Sequence, residues 1–364
     1  MHRDYNNRTR LMVTASLLLI FSLIVSGCGL FGPEPSRQTS ANNSLSQSDA
    51  IKVQAGDKTE QQGQENLTTT SDKTPQDNQF SATLYLEDSN GYVVPWQMTL
   101  PRDGEHFAQQ TLRYMVKGGP VEAMLPEGFS AVIPEGTNIL GMTIKDGLAT
   151  VDFSPQFKKY PADQEEKIVQ AITWALTEFD TIRKVQFWVN GYPLEAMPVN
   201  GTPVQNVGRE VGINLEWKDN IVMGQTTPVI LYFQGAASPS GQNYFVPVTR
   251  LIPQTDDVPT ATIEQLIDGP KTGSHLFSPL LSSTGVNSVK VAGDLAVVDL
   301  GKEFLQYNTG QASTDAVQAI VLSLTDNTSA KQVQIKVDGG ATVAGSSGAD
   351  YSKPVTRPPS INPV

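Results

Sequence analysis

The stretch QAITWALT (170–177) recurs later in the chain as QAIVLSLT (318–325). In both copies, small and branched apolar residues return every three to four positions, which is the spacing of one face of an α-helix. Such residues let a helix pack closely on a sheet. The repeated stretch therefore predicts the same sheet-packing helix twice. In the first copy the apolar stripe consists of Ile168, Ala171, Ile172, Ala175, Leu176 and Phe179.

Five further matches surround the repeated helix, in the same order in both halves of the chain. Their separation of about 150 positions is far longer than the roughly 20–50 residues of solenoid repeats, so it indicates a tandem duplication of a whole domain. The matched pairs are TLYLE (83–87) with ILYFQ (230–234), YVVP (92–95) with YFVP (244–247), YMVKGGP (114–120) with EQLIDGP (264–270), GLATVDFSPQF (147–157) with DLAVVDLGKEF (294–304), and VQFWVNG (185–191) with VQIKVDG (333–339).

Strand and helix signals follow one another in the same way in both copies. Alternating apolar residues predict strands, and Asp146-Gly147 predicts a tight hairpin turn. Asp163 and Glu166 predict a capping box at the start of a helix at about 163–179. The expected class is α+β, with two tandem copies of a small helix-on-sheet sandwich, approximately ββαββαβ each. In each copy the helices are expected on one face of a mostly antiparallel sheet.

The predicted boundaries divide the chain into folded and unfolded parts. Residues 28–79 and 344–364 are poor in large apolar side chains, so we expect a lipid-anchored disordered tether and a disordered tail in these ranges. Between them we predict a first domain at 80–205, an interdomain linker at 206–227 and a second domain at 228–343.

The N-terminal segment has the pattern of a secretory signal, with three arginines before the apolar run LMVTASLLLIFSLIV (11–25). This run is shorter than the roughly 20 residues that span a bilayer, which argues against the alternative of an uncleaved anchor. The next residues, VSGC (25–28), resemble a bacterial lipobox. The resemblance implies a signal peptide at 1–27 and lipidation of Cys28.

Candidate residues for chemistry are few. The formal net charge of −11 argues against a nucleic-acid partner. Asp152 and Asp299 recur at the same strand position, where we expect each to cap or turn the strand end rather than form a glycosidase pair. We found no catalytic or nucleotide-binding motif, and the sequence predicts no enzyme, no cofactor and no metal site. The cysteine and histidine residues are Cys28, His2, His106 and His275.

Two tryptophans of the first copy are the candidate interaction surface. Trp174 points away from the apolar stripe of its helix, and Trp188 lies on the strand face opposite the core. Exposed aromatic residues favour interfaces. The second copy has Leu322 and Lys336 at these places. The alternative is that the linker or a neighbouring domain covers both tryptophans.

The order of these motifs, together with VSGC (25–28), resembles the GerMN-domain family of sporulation and spore-germination lipoproteins. The resemblance implies a domain similar to the ring-building motif of secretion-system and sporulation-channel components. It also implies a non-enzymatic scaffold in sporulation and germination that stabilises the channel complex between mother cell and forespore. The expected partners are an envelope protein complex and the membrane, and the expected location is the extracytoplasmic face of the mother-cell-derived membrane, facing the space between the two cells.

Two other functions compete with the scaffold as interpretations of the sequence. One is a peptidoglycan-binding accessory of cell-wall remodelling, because exposed aromatic side chains can stack on sugars. The other is a wall hydrolase, which the missing catalytic motif disfavours.

Overall fold

The computed structural model describes residues 78–104, 106–218, 221–222, 224–235, 243–306, 310–340 and 343–363. All of them belong to one compact unit. The signal peptide 1–27, Cys28 and nearly all of the tether 28–79 lie outside the described residues, so these predictions stay predictions. Among the helices that are described, none combines the length and the apolar character needed to cross a membrane.

The first repeat consists of a β-hairpin, a four-stranded sheet and two helices. The hairpin is a separate two-stranded sheet, β1-β2, and the larger sheet has the order β3-β4-β5-β6. Strands β4 and β5 are parallel, joined through the second helix. The elements are β1 (Gln79–Glu87), β2 (Val93–Pro101), α1 (Phe107–Tyr114), β3 (Ile139–Lys145), β4 (Leu148–Phe153), α2 (Glu165–Thr177), β5 (Lys184–Val189) and β6 (Tyr192–Pro193).

The second repeat has the same order of main elements, preceded by the short strand β7 (Glu216–Trp217). Its two sheets have the orders β10-β8-β9-β7 and β11-β12-β13-β14. Its elements are β8 (Thr226–Gly235), β9 (Tyr244–Pro253), α3 (Val258–Asp268), β10 (Leu276–Phe277), β11 (Val286–Ala292), β12 (Leu295–Leu300), α4 (Thr314–Asn327), β13 (Gln332–Val337) and β14 (Val355–Thr356).

The α+β class and the duplicated order of elements agree with the prediction, but the layering differs in detail. Helix α2 contacts β1 and β2 of the hairpin and also β5 of the larger sheet. Each repeat thus has two separate sheets with helices between them, instead of helices on one face of a single sheet. Because layers lie on more than one side, α2 is buried almost all round, as expected for a helix without an exposed face.

Local predictions in the first repeat have mixed outcomes. Asp146 and Gly147 form the β3–β4 turn with φ angles of 53° and 83°, as predicted. The capping box is wrong, because α2 begins at Glu165 and its N-cap Gln164 makes no side-chain capping bond. Asp163 lies instead in a preceding 3₁₀ turn at 162–164.

The prediction of a disordered tail at 344–364 is wrong. Strand β14 pairs antiparallel with β13, and the side chains of Tyr351 and Asn362 are buried. The segment is ordered by a few buried polar contacts and one short strand, which a composition-based argument about apolar area does not detect. The predicted linker at 206–227 also carries structure, because it contains β7, which pairs in parallel with β9.

Candidate interaction surfaces

Trp174 is fully buried, so its assignment to an exposed surface is wrong. Its indole Nε1 donates a hydrogen bond of 2.9 Å to the carbonyl oxygen of Gly212. The guanidinium of Arg209 lies 4.5 Å from the centre of the indole ring, within cation–π distance. The segment that follows the first repeat therefore covers the outer side of α2.

Trp188 is half-buried on the outer face of the larger sheet of the first repeat. It lies between Asp152 of β4 and Pro193 of β6 in the strand register. Its indole Nε1 is buried and has no hydrogen-bond partner among the residues that the structure describes. Lys336 has the equivalent register position, beside Asp299. Trp188 therefore remains a candidate contact residue of the first repeat.

Asp152 and Asp299 have the structural role that the sequence predicted. The carboxylate of Asp152 accepts the backbone N–H of Gly191 at 3.0 Å, and that of Asp299 accepts the backbone N–H of Gly339 at 3.0 Å. Both glycines have positive φ angles in the turn after the parallel strand. Asp152 thus fixes the turn that follows β5, and Asp299 fixes the turn that follows β13.

Each repeat is completed by a segment that lies after its last matched motif. We call residues 207–217 the first closing segment and residues 355–363 the second. Val207 exchanges two backbone hydrogen bonds with Val185 of β5, and Val355 of the second segment pairs with Val333 of β13. The predicted linker and the predicted tail are therefore equivalent parts of the duplicated unit.

One arginine in each closing segment binds the end of its repeat's second helix. Arg209 donates to Thr177 at 2.9 Å and to Glu178 at 2.6 Å. Arg357 donates to Thr325 at 2.8 Å and forms an ion pair of 3.0 Å with Asp326.

A tyrosine of each repeat's hairpin, β1-β2 in the first and β8-β9 in the second, completes this arrangement. Tyr85 donates to Glu178, and Tyr232 donates to Asp326. Burial raises the pKa of Tyr85 well above its ordinary value, and Glu178 raises it further. Tyr232 of the other repeat contributes in the same direction, so the two groups lie close enough to interact.

One asparagine in each closing segment links the two hairpins. The Asn214 amide accepts from the backbone N–H of Val93 and donates to the carbonyl oxygens of Val93 and Pro247, all at 2.8 Å. The Asn362 amide makes the equivalent bonds to Phe245 and Pro95, at 2.8–2.9 Å. Proline has no backbone N–H, so β2 and β9 cannot form a regular ladder at these positions.

The contacts between the repeats are reciprocal. The first closing segment adds β7 to the edge of β9 in the second repeat. The second closing segment reaches β2 of the first repeat, where the backbone N–H of Gln97 donates to the carbonyl oxygen of Asn362 at 2.9 Å. Tyr244 donates to Asp88 of the first repeat, and Tyr92 donates to Ser274 of the second. The two repeats therefore form a closed pair, in the manner of an isologous dimer.

Glu165 is a buried carboxylate that sequence reasoning missed. It accepts backbone N–H groups of Val199, Asn200 and Thr202 at 2.9–3.0 Å, and the hydroxyls of Thr202 and Tyr160 at 2.7 and 2.9 Å. Burial by itself raises the pKa of Glu165, but the hydrogen bonds from Asn200, Thr202 and Tyr160 outweigh it and lower the pKa from 4.5 to about 2. The ionised carboxylate organises the loop after β6.

The edge strand β3 of the first repeat borders an apolar groove. Within the described residues, β3 pairs with β4 alone and so has one free edge. The side chains of Leu140 and Ile144 are 52% and 46% exposed there. Beside them lies a cavity of about 320 Å³ between α1, β3 and the end of α2. Its apolar lining includes Phe107, Ala108, Met142, Ile144 and Phe179.

The equivalent edge of the second repeat differs at one position, although Val289 and Val291 keep its other two places apolar. Asn287 is the counterpart of Leu140, and its amide donates to the carbonyl oxygen of Leu300 at 3.2 Å and to Asp338 at 3.3 Å. Helix α3, which covers this edge, has 11 residues against 8 in α1. The two repeats therefore present different surfaces at the same place in the fold.

The described part of the chain contains no cluster of three metal-ligating side chains. His106 and His275 are exposed and lie in different repeats. The buried carboxylate of Glu165 is held by the loop after β6, and Asp152 and Asp299 by turns of the fold.

Comparisons with known proteins agree with the duplicated unit. The family described as "Germane: Sporulation and spore germination" matches residues 83–195 and 230–342. The chain is 35% identical over 369 residues to the spore germination protein GerM of Bacillus subtilis (strain 168), across 96% of this chain and 97% of that protein. The solved tandem GerMN domains of GerM from Bacillus subtilis match with a TM-score of 0.73 and 36% identity, across 78% of this chain and 99% of that one. These matches confirm the resemblance and the tandem fold predicted from the sequence.

Proposed function

The chain belongs to the Germane family of sporulation and spore germination proteins, and from this premise we propose that it is a non-enzymatic scaffold in sporulation and germination. It binds a protein of the envelope complex that joins mother cell and forespore, and so stabilises that complex. Its two repeats act as one rigid body, because the closing segments fasten each repeat to the other.

The proposed scaffold is held at the membrane by a lipid on Cys28. The lipobox-like residues at 25–28 support this part of the proposal. Residues 29–77 then connect the anchor to the paired repeats, which lie on the extracytoplasmic face. We propose this face to be that of the mother-cell-derived membrane.

One observation carries the scaffold proposal, namely the free apolar edge at β3. Exposed edge strands with large apolar side chains are ready templates for pairing with another chain, and soluble proteins usually protect them. Here Leu140 and Ile144 flank the free edge, and the adjoining groove offers a place for apolar side chains of a partner. A partner strand would gain backbone hydrogen bonds from β3 and apolar burial from the groove.

The test is site-specific photo-crosslinking in sporulating cells. A photoreactive residue at Ile144 should form a discrete crosslinked product with a component of the envelope complex. The matched control places the same photoreactive residue at Val291, the equivalent position on β11 of the second repeat. Crosslinks of equal yield at both positions, or at neither, would count against β3 as the docking edge.

The substitution Leu140→Asp provides a second test of the same edge. Because Leu140 is exposed, the charge should leave the fold intact but weaken partner binding through the cost of desolvating a carboxylate. Normal sporulation and an intact envelope complex in the Leu140→Asp, Ile144→Asp double variant would overturn the proposal.

A further inference from the structure

Two equivalent cavities lie between the repeats. The first, of about 370 Å³, is lined by Lys167 and Gln170 of α2 and by Asn214 of its closing segment. The second, of about 510 Å³, is lined by Asp315 and Gln318 of α4 and by Asn362. In each case the other repeat contributes one residue from its hairpin, Val248 to the first cavity and Trp96 to the second.

Three polar side chains at the first cavity are bound internally. Gln170 Oε1 accepts the backbone N–H of Asn214 at 3.0 Å. Lys167 forms an ion pair of 2.5 Å with Glu87. Tyr92, on the rim, donates to the carbonyl oxygen of Ser274 at 2.7 Å. Its lining also contains the charged residues Asp163, Glu166 and Lys271, and so includes a second lysine, whereas the lining of the second cavity contains none.

Asn362 of the second cavity is bound to Phe245 and Pro95, but three other polar side chains are free among the residues that the structure describes. Gln234, Asp315 and Gln318 make no side-chain hydrogen bond with any residue that the structure describes. Gln234 and Asp315 stand where the first cavity has Glu87 and Lys167, so the ion pair is replaced by an amide and an unpaired carboxylate. Another polar atom at this cavity is the indole Nε1 of Trp96, which is buried and has no partner among the described residues.

The apolar lining of this cavity is aromatic and proline-rich. Trp96 and Phe245 contribute to the wall, together with Pro358 and Pro363 of the second closing segment. Trp96 is held in place by Phe129 and Tyr244, whose ring centres lie 5.0 and 6.1 Å from its own. Trp96 is therefore packed against two further aromatic rings.

We propose that the second cavity binds a saccharide. Two amides that both donate and accept, and one carboxylate that accepts, suit a ligand with several hydroxyl groups. Aromatic and proline side chains suit the C–H faces of a sugar ring. No lysine or arginine lines the cavity, so it does not suit a phosphate or carboxylate ligand. Its volume falls within the range of about 300–1,000 Å³ that is usual for small-molecule sites.

This saccharide site is independent of the proposed scaffold role. It is lined by the second repeat and by Trp96 of the first, away from β3. A sugar could come from a soluble oligosaccharide or from the glycan strands of the cell wall. Both sources carry the hydroxyl groups and C–H faces that the cavity suits. The experiment distinguishes the soluble oligosaccharide from the cell-wall glycan.

The experiment measures binding of chitotetraose and of purified insoluble peptidoglycan to the full-length protein in detergent. Titration calorimetry serves for the soluble sugar and co-sedimentation for the wall polymer. Asp315→Ala and Gln318→Ala should each weaken binding about tenfold, the usual effect of losing one or two hydrogen bonds to a buried site. Binding to peptidoglycan alone would identify the wall as the source of the sugar.

The matched control is Asp163→Ala, which removes an exposed carboxylate that lines the first cavity. It should bind like the unmodified protein, and thermal unfolding should give similar midpoints for all variants. The proposal is overturned if the unmodified protein binds neither probe, or if the Asp315→Ala, Gln318→Ala double variant binds as tightly. Equal weakening by Asp163→Ala would also overturn it.

Discussion

Asn214 and Asn362 make the same set of hydrogen bonds in the two repeats. Each amide accepts from and donates to one residue of its own repeat's hairpin, and donates again to a proline carbonyl of the other hairpin. The repeats are therefore joined by two equivalent polar clamps rather than by a continuous sheet. Both closing segments, 207–217 and 355–363, are therefore parts of the folded unit.

Asn362→Ala should lower the free energy of unfolding by about 2–4 kcal/mol. The substitution leaves the backbone N–H of Phe245 and the carbonyl oxygens of Phe245 and Pro95 without their partner in a buried place. Asn214→Ala should have a similar effect, since its bonds are equivalent. Urea unfolding monitored by circular dichroism measures both changes.

Lys353→Ala is the control for the second clamp. Its side chain is 80% exposed and pairs only weakly with Asp350 at 3.9 Å, so we expect a change below about 0.5 kcal/mol. A similar loss of stability in Lys353→Ala and Asn362→Ala would show that the clamp is not the cause.

A chain that ends after Ser352 should be much less stable than the complete chain. It loses the Asn362 clamp, the ion pair of Arg357 with Asp326 and the pairing of β14 with β13. Breaking a partly buried ion pair and several hydrogen bonds costs on the order of 5 kcal/mol. Thermal unfolding measures the loss, and an unchanged midpoint would restore the prediction of a disordered tail.

Trp174→Leu should lower the free energy of unfolding by about 2–3 kcal/mol, because the smaller side chain leaves a cavity and leaves the Gly212 carbonyl without its donor. Leucine is the natural residue at the equivalent position, Leu322, so the helix itself tolerates it. Urea unfolding gives the magnitude. The substitution also removes the contact of the indole ring with Arg209. If Trp174→Leu were as stable as the unmodified protein, the first closing segment would not depend on Trp174.

The periodic features of the fold could be predicted from the sequence. The α2 stripe, the alternating strand β5 and the Asp146-Gly147 turn all follow from local spacing, and the structure agrees with them. The duplication was visible because matched segments keep their order. These features depend on short-range geometry, which a sequence carries directly.

The closing segments could not be predicted in the same way. Arg209 with Arg357, and Asn214 with Asn362, act through single polar contacts with distant backbone groups, and no periodic pattern marks them. A weak signal was available, because REVGIN (209–214) and RPPSIN (357–362) share arginine, isoleucine and asparagine at the same spacing. The cover over Trp174 depends on the first of these segments, so the same omission explains its incorrect assignment to the surface.

Glu165 should make stability depend on acid pH. Its pKa is lowered in the folded state from 4.5 to about 2, so its contribution is fully present above about pH 4.5 and is lost as the pH falls toward 2. A shift of this size corresponds to about 3 kcal/mol as an upper value. Glu165→Gln should therefore be less stable than the unmodified protein at pH 7, and the difference should shrink between pH 4.5 and pH 2.5.

Urea unfolding at a series of pH values measures this difference. Glu166→Gln is the matched control, because its side chain is exposed and makes no hydrogen bond with a described residue; it should unfold like the unmodified protein throughout. Gln keeps the size of Glu165 but has one carbonyl oxygen where the carboxylate accepts five hydrogen bonds. A difference that stayed constant down to pH 2.5 would mean that the lost bonds, and not the charge, account for the effect.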